Sequence, residues 1–303
     1  MNVHIIEVPL DYGGRRHGSD MGPSAVRLAG LKNKIESIGH DVITDEKGIN
    51  IIPQENAKEG SNPKAKYLEP IVKVCTELAQ NVKSSVEKNE FPLVIGGDHS
   101  IVLGTLAGLN SSYKKNKKKL GVLYVDAHGD FNTDETTPTG NIHGECLAAS
   151  AGFGLSELVN LFEEGRKVDP ANICYVGIRD LDKGERELMK KAGVTVFTIS
   201  DIDRMGFAEV VKKVKLFFKT KCDTVHISFD MDSLDPSVAP GTGVPVPGGL
   251  NYREALLLME EMNSLGLVNS MDIVEVNPIL DVRNQTAIMA VNLAARILGE
   301  KLY

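Results

Sequence analysis

Short, nearly continuous apolar runs alternate with longer stretches in which apolar residues recur every three or four positions. The runs VHIIEV (3–8), FPLVIGG (91–97), LGVLYVDA (120–127), NICYVGI (172–178), VTVFTI (194–199), TVHISFD (224–230) and NSMDIVEV (269–276), with a weaker HDVIT (40–44), are β-rich and mostly lack a polar face. They predict strands covered on both sides. Between them, helical spacing predicts helices over 23–38, opened by Pro23 after Gly22, and over 64–88, 100–113, 155–164, 184–192, 206–220, 251–265 and 284–299. Such alternation predicts an α/β fold in three α/β/α layers, with a mostly parallel central sheet of about eight strands. The polar stretch 45–63 reads as a loop. No repeat or low-complexity linker divides the chain, so residues 1–303 are expected to form a single domain.

Composition narrows the partners. The formal net charge of −7 argues against nucleic acid, which needs a basic face. The one basic run, KKNKKK (114–119), sits between a helical and a strand pattern and reads as a solvated connection. The four cysteines, Cys75, Cys146, Cys174 and Cys222, form no CxxC pair, which disfavours a cysteine zinc site and a disulfide framework. The N-terminus lacks the basic start and apolar stretch of a signal peptide, and no run approaches the ~18 apolar residues that would span a bilayer. The expectation is a soluble, cytoplasmic protein without a membrane partner.

Candidate chemistry gathers where the apolar runs end. Ligands of open α/β sheets bind beyond the carboxyl ends of the strands. There the chain carries Asp98 and His99; Asp126, His128 and Asp130; Asp230, Asp232 and Asp235; and Glu275 with Asn277. Residues two apart on a strand share a face, so Asp126, His128 and Asp130 are expected to converge, as are Asp230 and Asp232. Several carboxylates in one place repel, and some would be forced to protonate unless a divalent cation removed the conflict. Four Asp and two His exceed one tetrahedral zinc and suit two cations with shared carboxylates. Oxygen-rich ligation with one imidazole per metal favours manganese. Asp98 and Asp235 read more simply as turn or helix caps, His226 as a buried residue behind the cluster, His4 and His40 as structural or exposed, and Cys146 as a small packed residue.

At these residues the sequence resembles a known family. GGDHS (96–100), DAHGD (126–130) and SFDMDSLDP (228–236) are similar to the three metal signatures of the ureohydrolases, most closely the bacterial arginases. The likeness extends from GSDMGPSAVR (18–27) through NIHGE (141–145) to EVNPILD (275–281). It implies an arginase/deacetylase-like fold and a two-manganese centre that hydrolyses L-arginine to L-ornithine and urea. Carried across, one manganese would be held by His99, Asp126, Asp130 and Asp230, and the other by Asp126, His128, Asp230 and Asp232. Asp126 and Asp230 would bridge, and Asp130 would orient the hydroxide shared by the metals. His143 matches the proton-shuttling histidine, and Glu275 the acid that pairs with the guanidinium. Asn132, Thr137, Thr139 and Asn141 resemble the loop that receives the α-carboxylate, Asp182 and Glu185 the acids near the α-amino group, and His128 is counted among the substrate contacts. The resemblance also implies a homo-oligomer, trimer or hexamer, with Asp203, Arg253 and Glu254 in segments like its intersubunit contacts.

The pattern is not copied throughout. Thr139 stands where Ser is usual, Val244 where Thr is usual near the guanidinium, Ser233 where Gly is usual, and His17 lies in a stretch usually rich in Gly. The alternatives are agmatinase or another ureohydrolase with the same metals and a different tail site, a one-zinc deacetylase on a related fold, and an inactive binding protein. The loop NTDETTPTGNIHG with Asp182 favours arginine over agmatine.

Overall fold

Parity along each strand decides which helical layer a residue meets. The computed structural model describes residues 1–14, 16–45 and 48–301. Its strands are β1 (Asn2–Val8), β2 (Asp41–Thr44), β3 (Phe91–Gly96), β4 (Leu120–Val125), β5 (Ile173–Ile178), β6 (Thr195–Thr198), β7 (Thr224–Asp230) and β8 (Val268–Val274). All eight pair in parallel in one sheet, in the order β2-β1-β3-β8-β7-β4-β5-β6. The helices are α1 (Gly22–Leu28), α2 (Leu31–Ser37), α3 (Leu68–Glu87), α4 (Val102–Lys114), α5 (Cys146–Ser150), α6 (Ser156–Val159), α7 (Lys183–Ala192), α8 (Ile199–Met205), α9 (Phe207–Lys221), α10 (Tyr252–Leu265) and α11 (Gln285–Ile297).

Two cores sandwich the sheet. Leu123 and Val125 of β4, Ile227 and Phe229 of β7 and Ile273 of β8 pack with α1, α2 and α8 to α11. Val122 and Tyr124 of β4, with Val94 and Tyr175, pack with α3 to α7. The second parity also carries the polar residues of the centre. Asp126 continues the face of Val122 and Tyr124, and His226, Ser228 and Asp230 occupy the corresponding face of β7.

Several expected helices differ. The span 23–38 is two helices, because Gly30 adopts φ 92° between them. The span 155–164 contracts to Ser156–Val159, beyond which Phe162 and Gly165 take positive φ. The span 64–88 begins only at Leu68, after Tyr67 in a left-handed conformation. Residues 199–205 form an unexpected helix, begun by Thr198 and Asp201 in a capping box. The basic run 114–119 is exposed, as its solvated reading requires.

One close approach places the first signature. Gly97 N–H donates to Val8 O at 2.9 Å and Asp98 N–H to Leu10 O at 2.8 Å. A Cβ on Gly97 would stand 1.9 Å from Leu10 O, so only glycine lets the two loops meet there.

Candidate functional site

The polar ends of β3, β4, β7 and β8 meet in one cleft of about 280 Å³. Its wall holds His128, Asp130, Asn132, Thr137, Thr139, Asn141, His143, Asp182, Glu185, Asp230, Asp232, Val244 and Glu275. His99 and Asp126 lie beneath it, essentially inaccessible. Of the residues expected at the site, Asn277 lies elsewhere: it is fully buried and donates to His17 O, holding the 11–18 loop.

Convergence of the second signature comes only in part from strand alternation. β4 ends at Val125, and the chain then turns: His128 N–H donates to Asp126 Oδ1 at 2.7 Å, and Asp130 takes φ 48°. The same device follows β7, where Asp232 N–H donates to Asp230 Oδ1 at 2.7 Å in a single 3-10 turn. Asx turns, rather than an extended strand, aim these carboxylates inward.

Two ligand-type groups result, His99 with Asp126 and Asp230, and His128 with Asp126 and Asp232, each with its ligand atoms within 4.8 Å of one another. Asp126 belongs to both. His99 Nδ1 lies 3.0 Å from Asp126 Oδ2, 3.2 Å from Asp130 Oδ2 and 3.1 Å from Asp230 Oδ2. His128 Nδ1 lies 3.1 Å from Asp232 Oδ2 and 3.4 Å from Asp126 Oδ1. Asp130 therefore joins the His99 side. Among the described residues no ion pair joins Asp230 to His128, so geometry links Asp230 chiefly to the first group.

The donor set fits cations. One ring N–H cannot serve three carboxylates, and His99 Nε2 already meets Ser228 Oγ at 2.9 Å. Nδ1 is thus left to share a point with three oxygens. Asp126 Oδ2 is buried and lies 3.0 Å from His99 Nδ1 without a well-formed hydrogen bond, a costly state for a carboxylate unless a further cation faces it. Burial, then Asp232 and Asp130, raises the Asp126 pKa to about 6, and burial with Asp232 and Asp126 raises that of Asp230 well above its ordinary value. Divalent cations remove that repulsion.

Beside the cluster, His143 Nδ1 lies 3.3 Å from Glu275 Oε1, which also accepts from His99 N–H at 3.0 Å. Glu275 holds φ 63°, a strained conformation for a non-glycine residue. Burial pushes the His143 pKa down, but Glu275, then Asp130 and Asp98, outweigh it and raise the value to about 9.

The outer wall is knitted together. Asn132 Nδ2 donates to Asp182 Oδ2 at 2.9 Å, and Thr136 Oγ1 to Asn132 Oδ1 at 3.0 Å. Thr137 Oγ1 accepts from Gly140 N–H, and Thr139 Oγ1 from Asn141 N–H. Glu185 serves the main chain: its oxygens accept from Phe131 N–H at 2.8 Å and Asp182 N–H at 3.1 Å. Asp98 and Asp235 act as turn caps, toward Ser100 N–H and Ser237 N–H. Ser233 donates to Asp230 O at 2.6 Å, so its hydroxyl braces the third signature. His226 pairs with Ser270 and Asp272, away from the cleft. Cys146 is buried and its thiol pKa lies well above the ordinary value, chiefly through burial.

Sequence reasoning passed over Asp180 and Glu145, among others. Asp180, exposed, also lines the cleft; its signal was its place two before Asp182. Glu145, in NIHGE, is buried with Oε1 unpartnered. Burial, then Asp134, raises its pKa to about 7, against Thr137 and Lys64. A raised carboxylate pKa means the fold holds a proton that the unfolded chain releases, so stability falls as pH climbs from about 4.5 to about 7. Glu145→Gln is expected to escape that loss. Its melting temperature relative to the parent should rise between pH 5 and pH 8; a difference that stays flat would contradict it.

A family model described as "Arginase family" matches residues 1–299. The chain is 44% identical over 300 residues to an arginase of Bacillus caldovelox, covering 99% of each. Among solved structures it is similar to the arginase of Bacillus caldovelox, with TM-score 0.95 and 43% identity over 100% of this chain and 99% of that one. It is also similar to the arginase of Bacillus cereus, with TM-score 0.92 and 46% identity over all of both chains.

Proposed function

The chain belongs to the arginase family, and from that premise we propose that its cleft hydrolyses L-arginine to L-ornithine and urea with two manganese ions. His99, Asp126, Asp130 and Asp230 would hold one ion, and Asp126, His128, Asp230 and Asp232 the other. The observation that carries this reading is the pair of ligand groups sharing Asp126, set beside the His143–Glu275 pair. Bound there, two divalent cations acidify water so that hydroxide exists near neutral pH.

The protein's own residues supply the rest. A guanidinium stays charged, with a pKa above ~12, and needs a fixed anion. Glu275 Oε1 is held by His99 N–H and His143, which leaves Oε2, facing Gly243, to pair with guanidinium N–H groups. That pairing orients the carbon toward the ligand cluster. Asp130 presents Oδ1 to orient the attacking water while Oδ2 faces His99. His143 hands a proton to the departing amine, which otherwise leaves poorly. Nearby cations would draw its pKa of about 9 back toward neutrality, where such a shuttle works best.

At the outer end, Asn132, Thr137, Thr139 and Asn141 present hydroxyls and amides to an α-carboxylate, and Asp182 presents a carboxylate to an α-ammonium. His128 lines the passage between the two ends. Glu185 acts through the turn it holds. Val244, without a hydroxyl, lines the guanidinium end and is expected to weaken affinity rather than turnover. Agmatine lacks the carboxylate and would leave those donors unpaired. With added Mn²⁺, urea release from arginine should exceed that from agmatine by at least about 100-fold in kcat/KM. Preferential turnover of agmatine would overturn the choice of substrate.

Self-association belongs to the same reading. Exposed Tyr252, Val282 and Ile288 form an apolar patch beside Arg253 and Glu254, consistent with a trimer or hexamer. A monomer in sedimentation would refute it. Among the described residues no helix is long and apolar enough to cross a membrane.

A further inference from the structure

Tyr124 looks like an ordinary core residue of β4, fully buried two positions before Asp126. Its contacts are not those of a space filler. Its ring lies 4.5 Å from that of His99 at an interplanar angle of 6°. Its hydroxyl donates to Asp130 Oδ2 at 2.6 Å, the same oxygen that faces His99 Nδ1. A carboxylate can only accept, so the direction of this bond is settled, and a charged acceptor makes it strong. One side chain thus holds two candidate ligands of the His99 group, one by its face and one by its hydroxyl.

The His128 group is organised differently. Asp126 Oδ1 is fixed by His128 N–H, and Asp232 Oδ1 by Ala127 N–H at 3.3 Å. Arg179 holds the Asp232 carbonyl at 2.7 Å and that of Ser233 at 3.1 Å. Main-chain donors and one guanidinium serve there.

We propose that Tyr124 is a positioning residue for one of the two cations alone, the one on the His99 side. Its hydroxyl, a closer donor than the Cys146 thiol at 3.8 Å, stops the carboxylate from rotating and keeps Asp130 Oδ2 beside His99 Nδ1, where the two would share a cation. Its ring fixes the plane of His99. This inference rests on the two-cation reading above.

The test is calorimetric titration of the metal-stripped full-length chain with Mn²⁺. The parent should show two binding steps. Tyr124→Phe keeps the ring and removes only the hydroxyl, and should weaken one step by about 10–100-fold while leaving the other within a few-fold. Tyr175→Phe is the matched control: it removes a buried phenol, edge-on to Tyr124, that donates at 2.7 Å to a main-chain carbonyl, Gly129 O, rather than to a ligand side chain. It should produce no such one-sided loss. The chain has no Trp, so tyrosine difference absorbance of the parent gives a second readout that needs no variant. That signal should develop with one step and not the other. Two unchanged steps in Tyr124→Phe, equal weakening of both, or a parent absorbance change spread over both steps overturns the proposal and leaves the two-cation reading standing. A parent that takes up no Mn²⁺ overturns both.

Discussion

Asp126→Ala is expected to abolish both cation sites together and, with them, urea release. Asp126 belongs to both ligand groups: Oδ2 lies 3.0 Å from His99 Nδ1 and Oδ1 lies 3.4 Å from His128 Nδ1. Losing a group that only orients a ligand commonly costs about 10–100-fold in affinity. Losing a shared ligand should exceed that range at each site, so the variant should retain almost no Mn²⁺ after desalting. Stability supplies a second signature. In the metal-free chain Asp126 repels Asp232 and Asp130, and burial adds to the penalty. Removing it should leave the metal-free variant melting no lower than the metal-free parent. The parent should then gain thermal stability on adding Mn²⁺, because a ligand that binds only the native state stabilises it, whereas the variant should gain none. A variant that keeps one ion per chain would contradict the shared role.

Much of this centre was readable in the chain, and the reason is physical. Strands buried on both faces leave nearly uninterrupted apolar runs, so β3, β4, β7 and β8 announce themselves, and acids that close such runs stand out. What did not show is where the backbone bends. Asp130 and Glu275 hold φ of 48° and 63°, each at a cost of roughly 1–3 kcal/mol. No residue type marks such a site as glycine would. The expected alternation therefore placed Asp126 correctly but not the turn that brings in His128 and Asp130. Glu185 matched a substrate-binding acid by position, yet its oxygens serve Phe131 and Asp182 N–H groups, a use visible only once α7 is placed. Tyr124 and Glu145 were invisible for the opposite reason. Each sits in a stretch whose pattern was already explained, Tyr124 by the apolar run and Glu145 by its neighbour His143. A helix capped by Thr198 and Asp201 was legible, but the adjoining strand pattern obscured it.

His143→Ala separates proton transfer from metal binding. His143 belongs to neither ligand group, so the variant should keep the full Mn²⁺ complement and both titration steps. Its ring touches Glu275 Oε1, and Glu275 keeps its second tether, the N–H of His99 at 3.0 Å. The guanidinium should therefore still find its anion, and KM for arginine should shift only a few-fold. The step that suffers is collapse of the tetrahedral adduct, where a neutral amine must leave and needs a proton. Positioned acid-base groups are commonly worth 10²–10⁴ in rate, so kcat should fall by about 100-fold or more. The pH profile gives the sign. The donor form of His143 exists below its pKa, so parent kcat should decline on the alkaline side as the ring loses its proton. The variant should lose that limb. A small buffer acid such as imidazolium, able to enter a cleft of about 280 Å³, should restore part of the rate in proportion to its protonated concentration. An unchanged kcat with an intact alkaline limb would exclude His143 from the proton path. Loss of Mn²⁺ in this variant would instead make its role structural.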